Sequence, residues 1–193
     1  MIYADYDTRL LIAQLIGFVA LFFSVASFQA KSRKKIIVFQ ILSNTVWVIQ
    51  FFMLGEYTAL VTNFIGIIRN LIYAFKGKWK LADSKVVPIC SIALFITSGI
   101  ITYKTSFDIL PVFAMCISSI TYFLNEERKI RYLSILVIVP WLIFSIHSGS
   151  IASIMSDSFN LISVLVAIAR YDLAEKIALK NKLQGSSNKI NIQ

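Results

Sequence analysis

The apolar residues of this chain are gathered into seven long stretches, separated by short polar segments. A membrane-spanning helix needs about 17–25 predominantly apolar residues, and each stretch is close to that length. The stretches are Leu10–Phe28, Ile36–Leu54, Thr58–Phe75, Val86–Tyr103, Ile109–Leu124, Tyr132–His147 and Ile151–Ala169. The pattern predicts an all-α integral membrane protein with seven transmembrane helices, of which the fifth and sixth are short.

Lysine and arginine are concentrated in every second segment between the stretches. Most of the 19 basic residues follow the first, third, fifth and seventh stretches. Because basic residues near helix ends are retained on the cytoplasmic side, this alternation predicts an N-terminus outside and a C-terminus in the cytoplasm. The net charge of +9 then reflects topology and attraction to anionic lipids. We therefore expect the lipid bilayer, and not nucleic acid, as the partner of these charges.

The composition agrees with a membrane protein and gives little support to an enzyme. The residues are 58% hydrophobic and the mean hydropathy is +0.75, whereas soluble domains are about 45–50% apolar. The single histidine, His147, has no neighbour at a spacing typical of a catalytic triad, and no phosphate-binding glycine loop occurs in the sequence. Cys90 and Cys116 are most simply packing residues. We expect no catalytic residue, cofactor or metal.

An internal repeat is visible in the rarer residue types. Trp141 lies 94 residues after Trp47, and the same separation relates Gly149 to Gly55. The chain has only three Trp and seven Gly, so a simultaneous match of both types is not easily accidental. The register pairs the first three stretches with the last three and leaves the fourth as a linker.

Three membrane crossings reverse the direction of the chain. Two units of the same orientation therefore need a linker that crosses the membrane an odd number of times. The charge pattern gives both units an outside start and a cytoplasmic end, which predicts two parallel three-helix repeats in a 3+1+3 arrangement. The predicted parts are a transmembrane domain over 1–170, with repeats 10–75 and 109–170 and a linker helix 86–103, and a cytoplasmic tail over 171–193.

Four polar or aromatic residues within the stretches are candidates for a binding site. Trp47 and Trp141 offer flat apolar faces to a ring-shaped solute, or they fill space between helices. Asn63 can hydrogen-bond a neutral polar solute or join two helices. Asp157, which corresponds to Asn63 in the repeat, is ionisable and lies inside a span, so it is a functional candidate that could also take up a proton.

Arg69 and Pro140 are candidates for the pathway or for structure. Arg69 lies seven residues before Lys76, roughly 10 Å into its span, so its side chain can snorkel to the cytoplasmic face or contact a carbonyl. Pro140 removes a backbone hydrogen bond inside the sixth span and can kink it.

The first span, Ile16-Gly17-Phe18-Val19-Ala20 through Ser27-Phe28, followed by Trp47 and Asn63, resembles the three-helix unit of the SWEET and SemiSWEET sugar transporters. As a whole, the chain is similar over about residues 10–170 to the YgjV-type bacterial inner-membrane proteins of the same superfamily. This resemblance implies a multi-pass protein of the bacterial cytoplasmic membrane. It also implies sugar-facing positions at Trp47 and Asn63, and at Trp141 and Asp157. The Pro-Gln pair of those transporters is absent, so sugar specificity does not follow.

These observations predict a transporter of a small, neutral polar solute, sugar-like or nucleoside-like, that works by alternating access between two three-helix bundles. The alternative is a non-transporting membrane scaffold of the same fold, in which the midplane residues only join helices. A transporter needs a wet central cavity onto which both tryptophans and Asn63 open, whereas a scaffold closes that space with side chains. Association into homo-oligomers is left open by the sequence.

Overall fold

The computed structural model describes residues 2–29, 33–124 and 126–169, and no strand occurs within these ranges. Their seven α-helices are α1 (Ile2–Gln29), α2 (Arg33–Leu54), α3 (Tyr57–Ala74), α4 (Val86–Thr102), α5 (Ile109–Phe123), α6 (Glu127–His147) and α7 (Ile151–Ala167). A short 3-10 helix, Ser106–Asp108, precedes α5. The predicted tail over 171–193 lies outside the described residues.

The helices follow the predicted apolar stretches to within a few residues, apart from two that begin earlier. Helix α1 begins at Ile2 and not at Leu10, and α6 begins at Glu127 and not at Tyr132. The sixth stretch was expected to be short, and this expectation is wrong, because α6 has 21 residues. Its first turn is charged, and an apolar criterion misses charged residues that are themselves good helix formers.

Two of the described helices are long and apolar enough to cross a bilayer by length and composition, Thr8–Ala26 and Arg128–His147. Shorter apolar helical segments are Val38–Leu54, Val86–Thr102, Ser106–Thr121 and Ile151–Ala167. The all-helical, apolar character that the sequence predicts is thus present. The arrangement of seven spans as 3+1+3 stays a prediction.

Polar side chains are buried inside the bundle, while large apolar side chains cover its outside. The buried polar residues include serines, threonines, Gln50, Asn63 and Arg69, whereas Ile100 and Ile101 are 74% and 77% exposed. Water-soluble monomers rarely expose contiguous apolar patches larger than a few hundred Å². A bilayer solvates such an exterior, and small polar residues in the interior allow helices to approach closely and to exchange hydrogen bonds.

The helices close into a bundle through contacts between its first and last members. Helix α1 packs against α2 and α7, α3 packs against α2, α4 and α5, and α6 packs against α5 and α7. A glycine on α1 allows this helix to lie close to α2 and α7. A Cβ atom at Gly17 would collide with the Gln50 side chain and would lie 2.8 Å from Cβ of Ala152.

The turns after α2 and α6 have the same conformation. Gly55 and Gly149 both have positive φ, at 77° and 65°. In each turn the glycine N–H donates to the carbonyl three residues back, and the next N–H donates to the carbonyl five residues back, at 2.9–3.3 Å. This is the Schellman ending of a helix, in which glycine adopts a left-handed conformation without a Cβ penalty. The spacing seen in the sequence therefore recurs in local structure.

Candidate functional site

A cavity of about 200 Å³ lies between the helices, and every α-helix except α4 contributes to its lining. The residues that line it are Ser24, Gln40, Ser43, Asn44, Trp47, Phe51, Asn63, Arg69, Asn70, Met115, Ser118, Val137, Ile138, Trp141, Ser153, Ser156, Asp157 and Asn160. The four predicted binding residues and Arg69 are thus brought together. Their roles in binding a solute stay predictions.

Aromatic rings form one wall of the cavity. Phe51 lies between the two predicted tryptophans, with its ring centroid 5.9 Å from that of Trp47 and 6.1 Å from that of Trp141, both at 27°. Phe144 meets Trp141 edge-on, at 86°. Phe51 and Phe144 are fully buried. Both indoles therefore pack against the fully buried ring of Phe51.

Asn63 is buried on α3, on the cavity side of that helix. Its Nδ2 donates to the carbonyl of Ala59 at 2.8 Å. This bond lies within α3 and does not join two helices. It fixes the orientation of the carboxamide at the cavity wall.

Asp157 is half-buried on α7, where hydroxyl groups of α6 and α7 surround it. The Ser145 hydroxyl donates to Oδ2 of Asp157 at 2.8 Å. The same hydroxyl lies 2.6 Å from Oγ of Ser153, and either of the two oxygens can be the donor. The carboxyl group therefore lies at the end of a chain of two serine hydroxyls.

Arg69 lies inside the bundle, and the alternative in which it snorkels to the cytoplasmic face is wrong. Its side chain is 3% exposed. Its Nη1 donates to Ser118 Oγ at 2.6 Å and to Ser119 Oγ at 3.1 Å, and its guanidinium lies over the Phe95 ring at 5.6 Å. The same Nη1 lies 3.5 Å from the carbonyl of Met115, which agrees with the predicted carbonyl contact. Polar groups on α5 thus hold the charge at this depth.

Pro140 and the two cysteines were also singled out from the sequence. Pro140 is buried in α6, which continues past it, and it is not among the residues that line the cavity. Cys90 is exposed on α4, so its assignment as a packing residue is wrong, whereas Cys116 is partly buried. A thiol on the outside of an apolar helix faces the same surroundings as the neighbouring isoleucines.

Most of the polar lining residues were not singled out from the sequence. On α2, the positions of Gln40, Ser43, Asn44 and Trp47 are related as i, i+3, i+4 and i+7. On α7, Ser153, Ser156, Asp157 and Asn160 have the same spacing. This interval places residues on one helix face, so polar side chains recurring at it inside apolar stretches were a usable signal.

Gln14 near the middle of α1 and Gln50 near the end of α2 join these helices to the start of α7. Gln14 Nε2 donates to the carbonyl of Gly149 at 2.8 Å, and the N–H of Ile151 donates to Gln14 Oε1 at 3.0 Å. Gln50 Nε2 donates to the Ser150 hydroxyl at 2.9 Å. These bonds connect the bundle on the side where the two glycine turns lie, which is the side that the charge pattern predicts to be outside.

An apolar exterior around a polar, cavity-containing helical interior defines the protein as an α-helical membrane protein. The model of the Imp-YgjV family, described as bacterial inner membrane protein, matches residues 11–175. The match covers most of the chain, and the chain belongs to this family. No curated protein and no solved structure matches the chain. The family match carries no link to the sugar transporters, so that part of the resemblance stays a prediction.

Proposed function

We propose that this inner-membrane protein transports a small, neutral polar solute through its central cavity, by alternating access between two three-helix bundles. The N-terminus is outside and the C-terminus is cytoplasmic in this proposal. The observation that carries it is the cavity itself, because polar side chains and two tryptophans converge on a space that side chains do not fill. A scaffold of the same fold has no need for such a space.

The size of the cavity supports a small solute. Pockets for drug-sized molecules measure about 300–1,000 Å³, and this cavity measures about 200 Å³. At about 30 Å³ for each water in the liquid, its volume equals that of about six or seven waters. A sugar-like or nucleoside-like solute at the small end of these classes suits this volume.

The lining chemistry supports a neutral solute with both hydroxyl groups and an apolar face. Uncharged polar groups predominate, among them Asn44, Asn63, Asn70 and Asn160. Carboxamides both donate and accept hydrogen bonds, so they fit hydroxyl groups of either orientation. The rings of Trp47 and Trp141 offer flat surfaces on which an apolar face can stack.

The two similar turns support the division into two bundles. The Schellman turns at Gly55 and Gly149 come at the same place in each predicted repeat, and the two tryptophans precede them at equal distances. Bonds from Gln14 and Gln50 to the start of α7 join the bundles at the predicted outer end. In the proposed cycle, these bonds break when the cavity opens outward.

The test is thermal unfolding of the purified protein in detergent against sugars, nucleosides, vitamins and amino acids. A ligand at about 100 times its dissociation constant adds about 2.7 kcal/mol to the free energy of unfolding if it binds only the folded form. We expect stabilisation by one chemical class, lost in Trp47→Ala and Asn63→Ala. Trp79→Ala is the matched control, because Trp79 is exposed and packs on Phe75, away from the cavity.

Two results would contradict the proposal. One is stabilisation that persists unchanged in both cavity variants, because the ligand would then bind elsewhere. The other is an unchanged unfolding temperature across the whole panel together with no uptake of the same compounds into vesicles containing the protein. The second result would favour a scaffold.

A further inference from the structure

We propose that Asp157 binds a proton that crosses the membrane with the solute, and that the hydroxyls of Ser145 and Ser153 connect this carboxyl group to the outer end of α7. The inference rests on the proposed transport function and names its coupling ion. The hydrogen bonds that connect these side chains support it, and not the presence of one acidic residue alone.

The hydrogen-bonded series of side chains begins at Asp157 in the cavity and continues towards the start of α7. The Ser145 hydroxyl lies 2.8 Å from Asp157 Oδ2 and 2.6 Å from Ser153 Oγ. One helical turn further towards the start of α7, the Ser150 hydroxyl oxygen accepts from the Ser153 N–H at 3.3 Å and from Gln50 Nε2 at 2.9 Å. Ser145, Ser150 and Ser153 are all buried. Hydroxyl groups thus link the carboxyl group to Ser153, and the backbone N–H of Ser153 links this residue to Ser150, which Gln50 holds at the start of α7.

These hydroxyls can serve both protonation states of Asp157 without moving a heavy atom. A carboxylate only accepts hydrogen bonds, so Ser145 donates to Asp157 and Ser153 donates to Ser145. When a proton binds, the carboxylate becomes a neutral carboxylic acid, whose new O–H can donate to Ser145 Oγ. Ser145 then donates to Ser153, since either oxygen of that pair can be the donor. Rotation of two hydroxyl groups completes the change.

The surroundings single out Asp157 as the acid that faces the cavity. Among the described residues that line it, the other ionisable side chain is Arg69 on α3, which Ser118 and Ser119 of α5 hold in place. Helices α1 and α6 pack against α7. The ionisable side chains described on these two helices lie towards helix ends and are Arg9, Arg128, Lys129, Arg131, Tyr132 and His147.

The first half of the polypeptide lacks a corresponding hydrogen-bonded series of side chains. At the repeat separation, Ser145 corresponds to Phe51, Ser153 to Ala59 and Asp157 to Asn63. An amide does not titrate, and neither a phenyl ring nor a methyl group relays a proton. Among the described residues that line the cavity, the hydrogen-bonded series that ends at a titratable group therefore lies on one side, as a pathway for a single coupled proton requires.

Infrared difference spectra of the reconstituted full chain, recorded between acidic and alkaline buffer, test proton binding without any solute. We expect a C=O band of a protonated carboxylic acid that is lost in Asp157→Asn and shifted to higher frequency in Ser145→Ala, which removes its hydrogen bond. The control is Asp83→Asn, because Asp83 is exposed in the segment between α3 and α4. The proposal is overturned if the Asp157→Asn spectrum equals that of the wild type.

Uptake of glucose and of uridine by vesicles loaded with a pH-sensitive dye tests the coupling. We expect acidification of the lumen with the transported probe, and its loss in Asp157→Asn. Uptake without acidification overturns the proton proposal and leaves the transport proposal standing. If neither probe enters, transport of these probes fails, and the infrared band still decides whether Asp157 binds a proton. If Asp157→Asn does not fold, the frequency shift in Ser145→Ala decides in its place.

Discussion

The two halves of the chain are built alike at their turns and differently at the cavity. Gly55 and Gly149 end α2 and α6 with the same hydrogen bonds. Where the first half has Phe51, Ala59 and Asn63, the second half has two serines and an aspartate. A left-handed turn tolerates few residues other than glycine, whereas a cavity wall accepts many side chains of similar size. Similar local structure thus permits different chemistry on the two sides of one cavity.

The aromatic wall shows a second difference between the halves. The two tryptophans correspond in the repeat, but the phenyl ring between them comes from the first half alone. The corresponding position in the second half is Ser145, which contacts Asp157. The first half therefore supplies the ring that contacts both indoles, and the second half supplies the titratable polar groups.

The largest expected effect is that of removing the central ring. Phe51→Ala deletes a side chain that is 1% exposed and stacked between two indoles. We expect a loss of about 3–5 kcal/mol in the free energy of unfolding, as for other buried Phe-to-Ala changes. Unfolding in detergent with increasing denaturant measures it. The matched control is Phe52→Ala, since Phe52 is 55% exposed. Equal losses in the two variants would contradict a supporting role for Phe51.

A smaller loss is expected where α1 approaches α2 and α7. Gly17→Ala places a methyl group against the Gln50 side chain and 2.8 Å from Cβ of Ala152. Overpacking of this kind costs about 1–3 kcal/mol. Gly66→Ala is the control, because its Cβ would meet only the flexible end of Met115 and, at 3.5 Å, Asn44. A lower unfolding temperature for the Gly66 variant than for the Gly17 variant would contradict the assignment of the close contact.

The two glycine turns should respond equally to the same change. Gly55→Ala and Gly149→Ala each force a Cβ into a left-handed conformation, with no neighbouring atom within 4 Å in either case. We expect each variant to lose about 1–2 kcal/mol. Thermal unfolding of both single variants measures the comparison. A loss in one variant only would show that the turns are not equivalent.

The smallest expected effect is a pH dependence at the predicted outer end. Burial raises the pKa of Glu56 above its ordinary value of 4.5, and Asp108 raises it further, against opposing effects of His147 and Lys104. A raised pKa means that the folded state holds the proton more tightly than the unfolded state. Stability is therefore greatest below the ordinary value and falls as pH rises through the raised value. Glu56→Gln should flatten this decline in unfolding temperature, and an unchanged decline would assign it to another group.

Much of the fold could be predicted from the sequence because apolar stretches dominate helix formation in a membrane protein. The ends of α3, α4 and α5 follow within one or two residues, whereas the polar first turns of α1 and α6 were missed. Trp47, Trp141, Asn63 and Asp157, which the repeat relates in pairs, line one cavity, while their binding roles stay predictions.

The contacts of Arg69 and of the serines could not be predicted. They depend on how each helix is rotated about its axis, and a serine within a helix gives little indication of which neighbour it contacts. Arg69 reaches Ser118 on α5 only because α3 and α5 face each other at that depth. The pairing of Ser145 with Ser153 likewise requires the packing of α6 on α7.

Transport through the cavity is tested most directly by the accessibility of position 63 from the two sides of the membrane. Asn63→Cys, made in a chain with Cys90→Ser and Cys116→Ser, would be treated with a membrane-impermeant thiol reagent in vesicles of each orientation. We expect labelling from both sides, because an alternating cavity opens to each side in turn. Labelling from neither side, with the protein folded and inserted, would contradict transport through this cavity.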